Sequence, residues 1–262
     1  MQPWEVHAIK YAERQGTRAA NFIGGDPHDG PMPMDYFCWA IVGAGRTFVL
    51  DTGFMQADAA ARGRTLLRTA AQGLALVGVD ATRVQDVILS HLHYDHVGGF
   101  EQFPNARLHL QDREMQYATG RHMARPFFGW AYEPDHIAGM VRQVFAGRVA
   151  FHDGDAELAP GLSVHLIGGH THGLQAVRVF TRSGWLVLAS DAAHFYENIQ
   201  GGRPFPIVHS VADMFDGWSR LAALADDPAA IVPGHDPLVL ALYPAAGPGL
   251  EGRIARLDLG RA

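Results

Sequence analysis

Apolar residues in this chain gather in short runs that repeatedly break off at glycine, aspartate or histidine. Trp4 to Ala12 alternates as a first strand, and Tyr36 to Val42 reads as a second, more buried one. Gly43-Ala44-Gly45 is a turn, and Arg46 to Leu50 returns as a strand ending in Asp51-Thr52-Gly53, so a hairpin is predicted. Met55 to Val79 reads as helical over much of its length, with Leu66, Leu67, Ala70, Leu74 and Leu76 on its apolar face, until Asp80-Ala81-Thr82 breaks it. Val84 to Leu89 is a buried strand, Ala106 to Leu110 another, and helices follow near Asp112 to Gly120 and Pro134 to Phe145. In the second half, strands are predicted at Ser163 to Ile167, Ala176 to Phe180, Trp185 to Ala189 and Ala230 to Val232, with a helix from Val211 to Ala225 before the last.

What stands at the ends of these runs matters most. The strand ending at Leu89 delivers Ser90-His91-Leu92-His93-Tyr94-Asp95-His96-Val97-Gly98-Gly99. His91 and His93, spaced i and i+2, point the same way if strand geometry persists, so both imidazoles can close on one ion. Asp95 and His96 lie past the turn and face a neighbouring point, which predicts a second ion. Gly98 and Gly99 let the backbone leave tightly towards a helix. Three further ends deliver His170, Asp191 and His235. A His-x-His pair alone is common, but four polar strand ends in this order point jointly to a dinuclear metal site.

Composition narrows the chemistry. The 262 residues predict a single α/β domain spanning 1–262. Cys38 is the only cysteine, so any metal must sit on histidine and carboxylate, with no intrachain disulfide. A formal charge of -6 gives no electrostatic footprint for nucleic acid. No run is long enough for a membrane span and no basic, apolar leader opens the chain, so a cytoplasmic protein without a membrane partner is expected. The histidines outside the strand ends are scattered and read as packing residues.

The run His91-Leu92-His93-Tyr94-Asp95-His96, with the later His170, Asp191 and His235, resembles the signature of the metallo-β-lactamase superfamily, and the resemblance extends from Asp51-Thr52-Gly53 to His235. It implies an αββα sandwich with the metals at the sheet edge. On the same resemblance His91, His93 and His170 hold one ion, Asp95, His96 and His235 hold the other, and Asp191 bridges them. Asp51 would orient ligands without binding an ion. Within the superfamily, Ser190-Asp191-Ala192-Ala193-His194 and Gly168-Gly169-His170-Thr171-His172-Gly173 look most like the N-acyl homoserine lactonase branch. That branch commonly carries a tyrosine where this chain has His194, and His172 is a second departure. His194 or Tyr196 is the candidate to polarise the substrate carbonyl.

The expected reaction is opening of a lactone ring by a metal-bridging hydroxide, with Asp95 or Asp191 relaying the proton to the leaving ring oxygen. The expected cofactors are two divalent metal ions, zinc foremost by frequency for imidazole and carboxylate ligands. Hydrolysis of another ester, cyclic amide or thioester is the alternative reaction. A regulatory protein with a vestigial metal site is the alternative outside enzymes. The expected partner is a small lactone or ester, and a homodimer is the default assembly. Phe54, Met55, Met123, Phe127, Phe128 and Trp130 are candidates either for a pocket wall or for core. The long loop from Asn21 to Pro33 is placed near the site.

Overall fold

The computed structural model describes residues 1–262. The chain first lays down β1 (Glu5–Arg14), β2 (Met34–Gly43), β3 (Arg46–Leu50), β4 (Thr65–Leu66), β5 (Asp86–Ile88), β6 (Arg107–Gln111) and β7 (Val149–His152). There follow β8 (Ala156–Ala159), β9 (Leu162–Leu166), β10 (Gln175–Thr181), β11 (Gly184–Ser190) and β12 (Ile231–Pro233), and then β13 (Ile254–Arg256). One sheet runs β13-β1-β2-β3-β5-β6-β7 with β4 added beside β1, and the other runs β12-β11-β10-β9-β8.

Both sheets are buried on two faces, which is why their strands read as nearly continuous apolar runs. Alternate residues of one strand enter different cores. Phe37, Trp39 and Ile41 of β2 face the second sheet, together with Phe48 and Leu50 of β3, and meet Val177, Val179, Leu186 and Leu188 there. Cys38 and Ala40 point the other way, onto Leu74, Ile137 and Met140 from helices Ala70–Ala75 and Pro134–Phe145. On the outer face of the second sheet, Val187 and Ala189 pack on Met214, Trp218 and Leu221 of helix Val211–Leu224. The layers are therefore helix, sheet, sheet, helix, the fold that the resemblance implies.

The hairpin forms as predicted. Gly43 pairs with Arg46, and the two turn residues Ala44 and Gly45 have φ of 49° and 73°, the type I′ conformation that matches strand twist. The long helix predicted from Met55 to Val79 does not form. It divides into Gln56–Arg62 and Ala70–Ala75, because Gly63 ends the first in the left-handed region and Thr65–Leu66 then pairs with β1. Leu67 and Leu76, placed on the apolar face from periodicity, are exposed.

Strands β3, β5, β6 and β7 are parallel, as are β11 and β12. Their carboxyl ends share an edge, where open α/β sheets place ligands. Gly98 and Gly99 close the corner there, but neither has a positive φ. Their requirement is space. A Cβ at Gly99 would lie 2.2 Å from the Thr52 carbonyl oxygen, and one at Gly98 would lie 2.5 Å from that of Tyr94. Gly99→Ala is therefore expected to lower stability by about 3 kcal/mol, since backbone and not a flexible side chain must yield. Denaturant unfolding checks this, and an unchanged midpoint would show that the corner gives way freely.

Candidate metal centre

Strand β5 stops at Ile88, so His91 and His93 lie on the segment beyond it and not within a strand. His93 stays extended and leads the one-turn helix Tyr94–Val97, which carries Asp95 and His96. The segment is held down by Asp51, at the end of β3. Asp51 Oδ1 accepts the Ser90 N–H at 2.7 Å, and Oδ2 accepts the Ser90 hydroxyl and lies 2.8 Å from His96 Nδ1. From the second sheet, Ser190 donates to Ser90 Oγ at 2.9 Å, tying the end of β11 to the end of β5.

Asp191 sits at the centre, with its two oxygens turned to different histidines. Oδ1 lies 2.9 Å from His235 Nε2 and 3.3 Å from His96 Nε2. Oδ2 lies 3.2 Å from His170 Nε2, 3.8 Å from His91 Nε2 and 3.1 Å from His194 Nε2. His93 Nδ1 is 3.0 Å from His170 Nε2, and Asp95 Oδ2 is 3.9 Å from His235 Nε2. Two groups of ligand atoms result: His91, His93, His170 and Asp191, and beside them Asp95, His96 and His235. All seven predicted ligands are thus brought together. His194 joins them, in a third group with Asp191 and His235.

The outer nitrogens decide what these groups can hold. His170 Nδ1 donates to the Ile207 carbonyl at 2.7 Å, and His235 Nδ1 donates to that of Asp35 at 2.9 Å. A carbonyl oxygen only accepts, so in each neutral ring the proton is on Nδ1 and the Nε2 lone pair faces inward. Each Nε2 faces a carboxylate oxygen of Asp191, an arrangement that a cation between them would satisfy. The inward atoms His91 Nε2, His96 Nε2, His235 Nε2 and Asp191 Oδ1 are buried and have no hydrogen-bond partner in the protein. Divalent cations on nitrogen and oxygen donors satisfy all of them, so the residues present fit a metal centre.

Burial pushes the His91 and His93 imidazoles well below their ordinary pKa, with the neighbouring imidazoles adding to the shift, so both are neutral donors. His96 is driven up, because Asp191, Asp51 and Asp95 outweigh its burial. Asp191 is buried too, yet the imidazoles of His194, His235 and His96 hold its carboxyl well below the usual range. His194 lies flat on Phe205, with ring centroids 3.6 Å apart, and burial pushes it down to about 3 against the pull of Asp191.

One organising residue has no mark in the sequence. Glu114, in the first turn of helix Asp112–Ala118, is fully buried. Its Oε1 accepts the Leu92 N–H and the Tyr132 hydroxyl at 3.0 and 2.9 Å, and its Oε2 accepts the Thr171 hydroxyl and the Gly173 N–H at 2.7 and 3.1 Å. It therefore fastens the His91-Leu92-His93 segment to the His170 loop. In the sequence an acid at a helix start reads only as a favourable charge on the helix dipole.

A cavity of about 290 Å³ opens onto the centre at His93, Asp95, Asp191, His194 and His235. Of the aromatic and Met candidates for its wall, Phe127 and Trp130 line it. Phe54 is instead buried among Tyr11, Tyr36 and Tyr94, Met55 is exposed, and Met123 and Phe128 pack against the core behind the helices. Sequence reasoning missed Tyr36, Tyr94, Phe205 and Ile207 as further wall residues, since they come from separated stretches. Tyr196 does not reach the cavity. Two residues beyond His194, it turns into the core between the sheets, against Tyr243 and under the Arg261 guanidinium, so its hydroxyl is not placed to polarise a substrate.

Residues 32–235 match the family model described as the metallo-beta-lactamase superfamily. N-acyl homoserine lactonase AttM of Azorhizobium caulinodans is 31% identical over 178 residues, which cover 62% of this chain and 61% of that protein. A probable metallo-hydrolase of Mycobacterium tuberculosis is 28% identical over 201 residues, or 73% of this chain and 61% of the relative. The chain thus spans about 61% of the length of these relatives. Among solved structures, an N-acyl homoserine lactone hydrolase with the product N-hexanoyl-L-homoserine bound at its catalytic metal center has a similar fold. Its TM-score is 0.74 at 21% identity, with 90% of this chain and 94% of that one covered.

Glu114→Gln replaces one acceptor oxygen by an amide NH2 group facing two donors. A loss of about 3 kcal/mol in unfolding free energy is expected, from buried donors left unpaired. Thermal unfolding of the metal-loaded protein measures it, and an unaltered transition would show that the four contacts are not needed to hold the two segments together.

Proposed function

The chain belongs to the metallo-beta-lactamase superfamily, and on that premise we propose that it is a dinuclear metal-dependent hydrolase that opens a lactone ring. The observation that carries this reading is the division of the Asp191 oxygens between two sets of inward-facing imidazoles. His91, His93 and His170 would hold one ion and Asp95, His96 and His235 the other, with Asp191 available to both. Zinc suits this donor set best. Two divalent ions, when bound, supply a Lewis acid for a carbonyl and lower the pKa of water from about 16 towards 7.

The residues of the chain do the rest. In ring opening, the oxygen of water bonds to the acyl carbon, the bond from that carbon to the ring oxygen breaks, and a proton passes from the water to the ring oxygen. Both carboxylates line the cavity, and Asp95 is the better placed to carry that proton because only its Oδ2 approaches histidines whereas both oxygens of Asp191 face them. His194 turns Nε2 to Asp191 and is stacked on Phe205. A neutral imidazole has one N–H, and here it is directed at the carboxylate, so His194 positions Asp191 and leaves carbonyl polarisation to the metal centre. The relatives named N-acyl homoserine lactonase make such lactones the first substrates to examine. Other cyclic or linear esters use the same chemistry.

Turnover of a panel of lactones and linear esters by metal-loaded protein tests the reading, alongside elemental analysis. Two metal equivalents per chain are expected, with lactone hydrolysis that a chelator abolishes. Asp191→Ala should lower both metal content and kcat, the latter by ~100-fold or more, beyond the loss typical of residues that merely orient ligands. A metal-loaded protein that turns over no lactone above the metal-free background would falsify the lactonase assignment.

A further inference from the structure

Two arginines, Arg14 and Arg64, line the same cavity as the histidines. Ala12 faces Leu66 and Glu13 faces Thr65 across the short antiparallel pairing of β1 with β4, and Arg14 ends β1 while Arg64 immediately precedes β4. Two like charges lining one cavity repel, so the arrangement favours an anion between them. Several neighbouring cations are ion-paired: Lys10 with Glu13 and Asp35, Arg18 and Arg203 with Asp26 and Glu197, and Arg62 with Glu133. Arg14 and Arg64 make no ion pair, and the carboxylate that acts on Arg64 from farther off is Asp95.

Neutral acceptors hold both guanidiniums in place without cancelling their charge. Arg14 donates to Asn21 Oδ1 at 3.0 Å and to Met34 Sδ, while Arg64 donates to the Tyr94 hydroxyl at 3.2 Å and to the Arg62 carbonyl at 2.8 Å. Arg14 Nη1 and Arg64 Nη2 make no hydrogen bond within the protein. The carboxylates that line the same cavity, Asp95 and Asp191, are turned to the histidine cluster. Tyr36, Phe127, Trp130 and Phe205 line the same cavity. It therefore brings an aromatic wall, two guanidiniums and the reacting centre into one space.

We propose that Arg14 and Arg64 form a carboxylate-binding subsite, and that the substrate is an aromatic or apolar lactone or ester bearing an anionic carboxylate away from the bond that is cleaved. This rests on the hydrolase reading above and adds the class of substrate. Guanidinium forks bind carboxylates through paired hydrogen bonds, and an anion lying between the two removes their mutual repulsion. Water adds across the ester bond as before, so the product carries the original carboxylate, the new one and a hydroxyl.

The test compares an aryl-substituted γ-lactone bearing a carboxylate with its primary carboxamide, using metal-loaded protein. KM for the carboxylate form should be ~10-fold lower or better, and should rise with added salt while that of the amide does not. Arg14→Gln and Arg64→Gln should each raise KM for the anionic lactone ~10-fold with kcat within about twofold, and leave the amide unaffected. Lysine at either position, which keeps charge and stem, should restore the salt-dependent part of the preference and thereby separate charge from misfolding. Equal kcat/KM for acid and amide, unchanged in the glutamine variants, overturns the subsite while the hydrolase reading stands. If neither lactone is turned over, the hydrolase reading fails, and calorimetric titration with the ring-opened dicarboxylate decides the subsite alone. Binding weakened in Arg64→Gln upholds it, and no binding to the unsubstituted protein overturns it.

Discussion

The carboxylate of Asp191 is the contact on which the site turns. Its two oxygens face histidines delivered by both sheets: His91 and His96 from the region beyond β5, and His170 and His235 from the regions beyond β9 and β12. Without positive charge among them, inward lone pairs and buried carboxylate oxygens would repel, and their desolvation would go uncompensated. A bound ion would therefore add directly to the stability of this edge of the sandwich, as in other sites where ligand binding contributes to folding free energy. The outer hydrogen bonds of His96, His170 and His235 fix which ring nitrogen faces inward, so the geometry is prepared by the backbone before an ion arrives.

That preparation uses strained backbone. Asp51 and Ser190, at the ends of β3 and β11, have φ of 60° and 45°, in the left-handed region that non-glycine residues rarely occupy. Each such residue costs about 1–3 kcal/mol. Their side chains show what holds them there: Asp51 accepts from Ser90 and from Ser190, and Ser190 donates also to Ser90. A relaxed strand end would send Asp191 and the residues after Asp51 in other directions. The strain and the hydrogen-bonded knot of Asp51, Ser90 and Ser190 belong together, and both lie immediately behind the ligands.

How legible each part was follows from whether it is local. The strand ends carrying His91 to His96, His170, Asp191 and His235 stand next to apolar runs, so a short apolar run breaking off at polar residues exposes them in the sequence. The hairpin at Ala44-Gly45 was equally local. The region from Met55 to Val79 was misread as one helix because Leu66 and Leu67 fit a helical period by chance, while the decisive interaction, pairing of Thr65–Leu66 with β1, spans some fifty residues of chain. Tyr196 was near in sequence but on the wrong side of its backbone. Glu114 was hidden for a third reason: its four donors come from Leu92, Tyr132, Thr171 and Gly173, and no spacing rule relates them.

Reaction type and substrate choice separate in this molecule because they are built from different materials. The candidate ligands up to Asp191 follow strands hydrogen-bonded on both sides while His235 follows the edge strand β12, and small residues such as Gly99 and Gly234 leave no room there for a side chain: a Cβ at Gly234 would meet Asp191 Oδ1 at 2.8 Å. Such positions tolerate little change. The cavity wall comes from the edge pair β1 and β4, from the stretch carrying Phe127 and Trp130, and from Phe205 to Ile207, where side chains can be exchanged without moving a ligand. Phe127 and Trp130 remain largely exposed, as residues awaiting an apolar partner would be. The His and Asp framework can therefore stay intact while the wall decides what is bound, and Arg14 and Arg64 are wall residues of that kind.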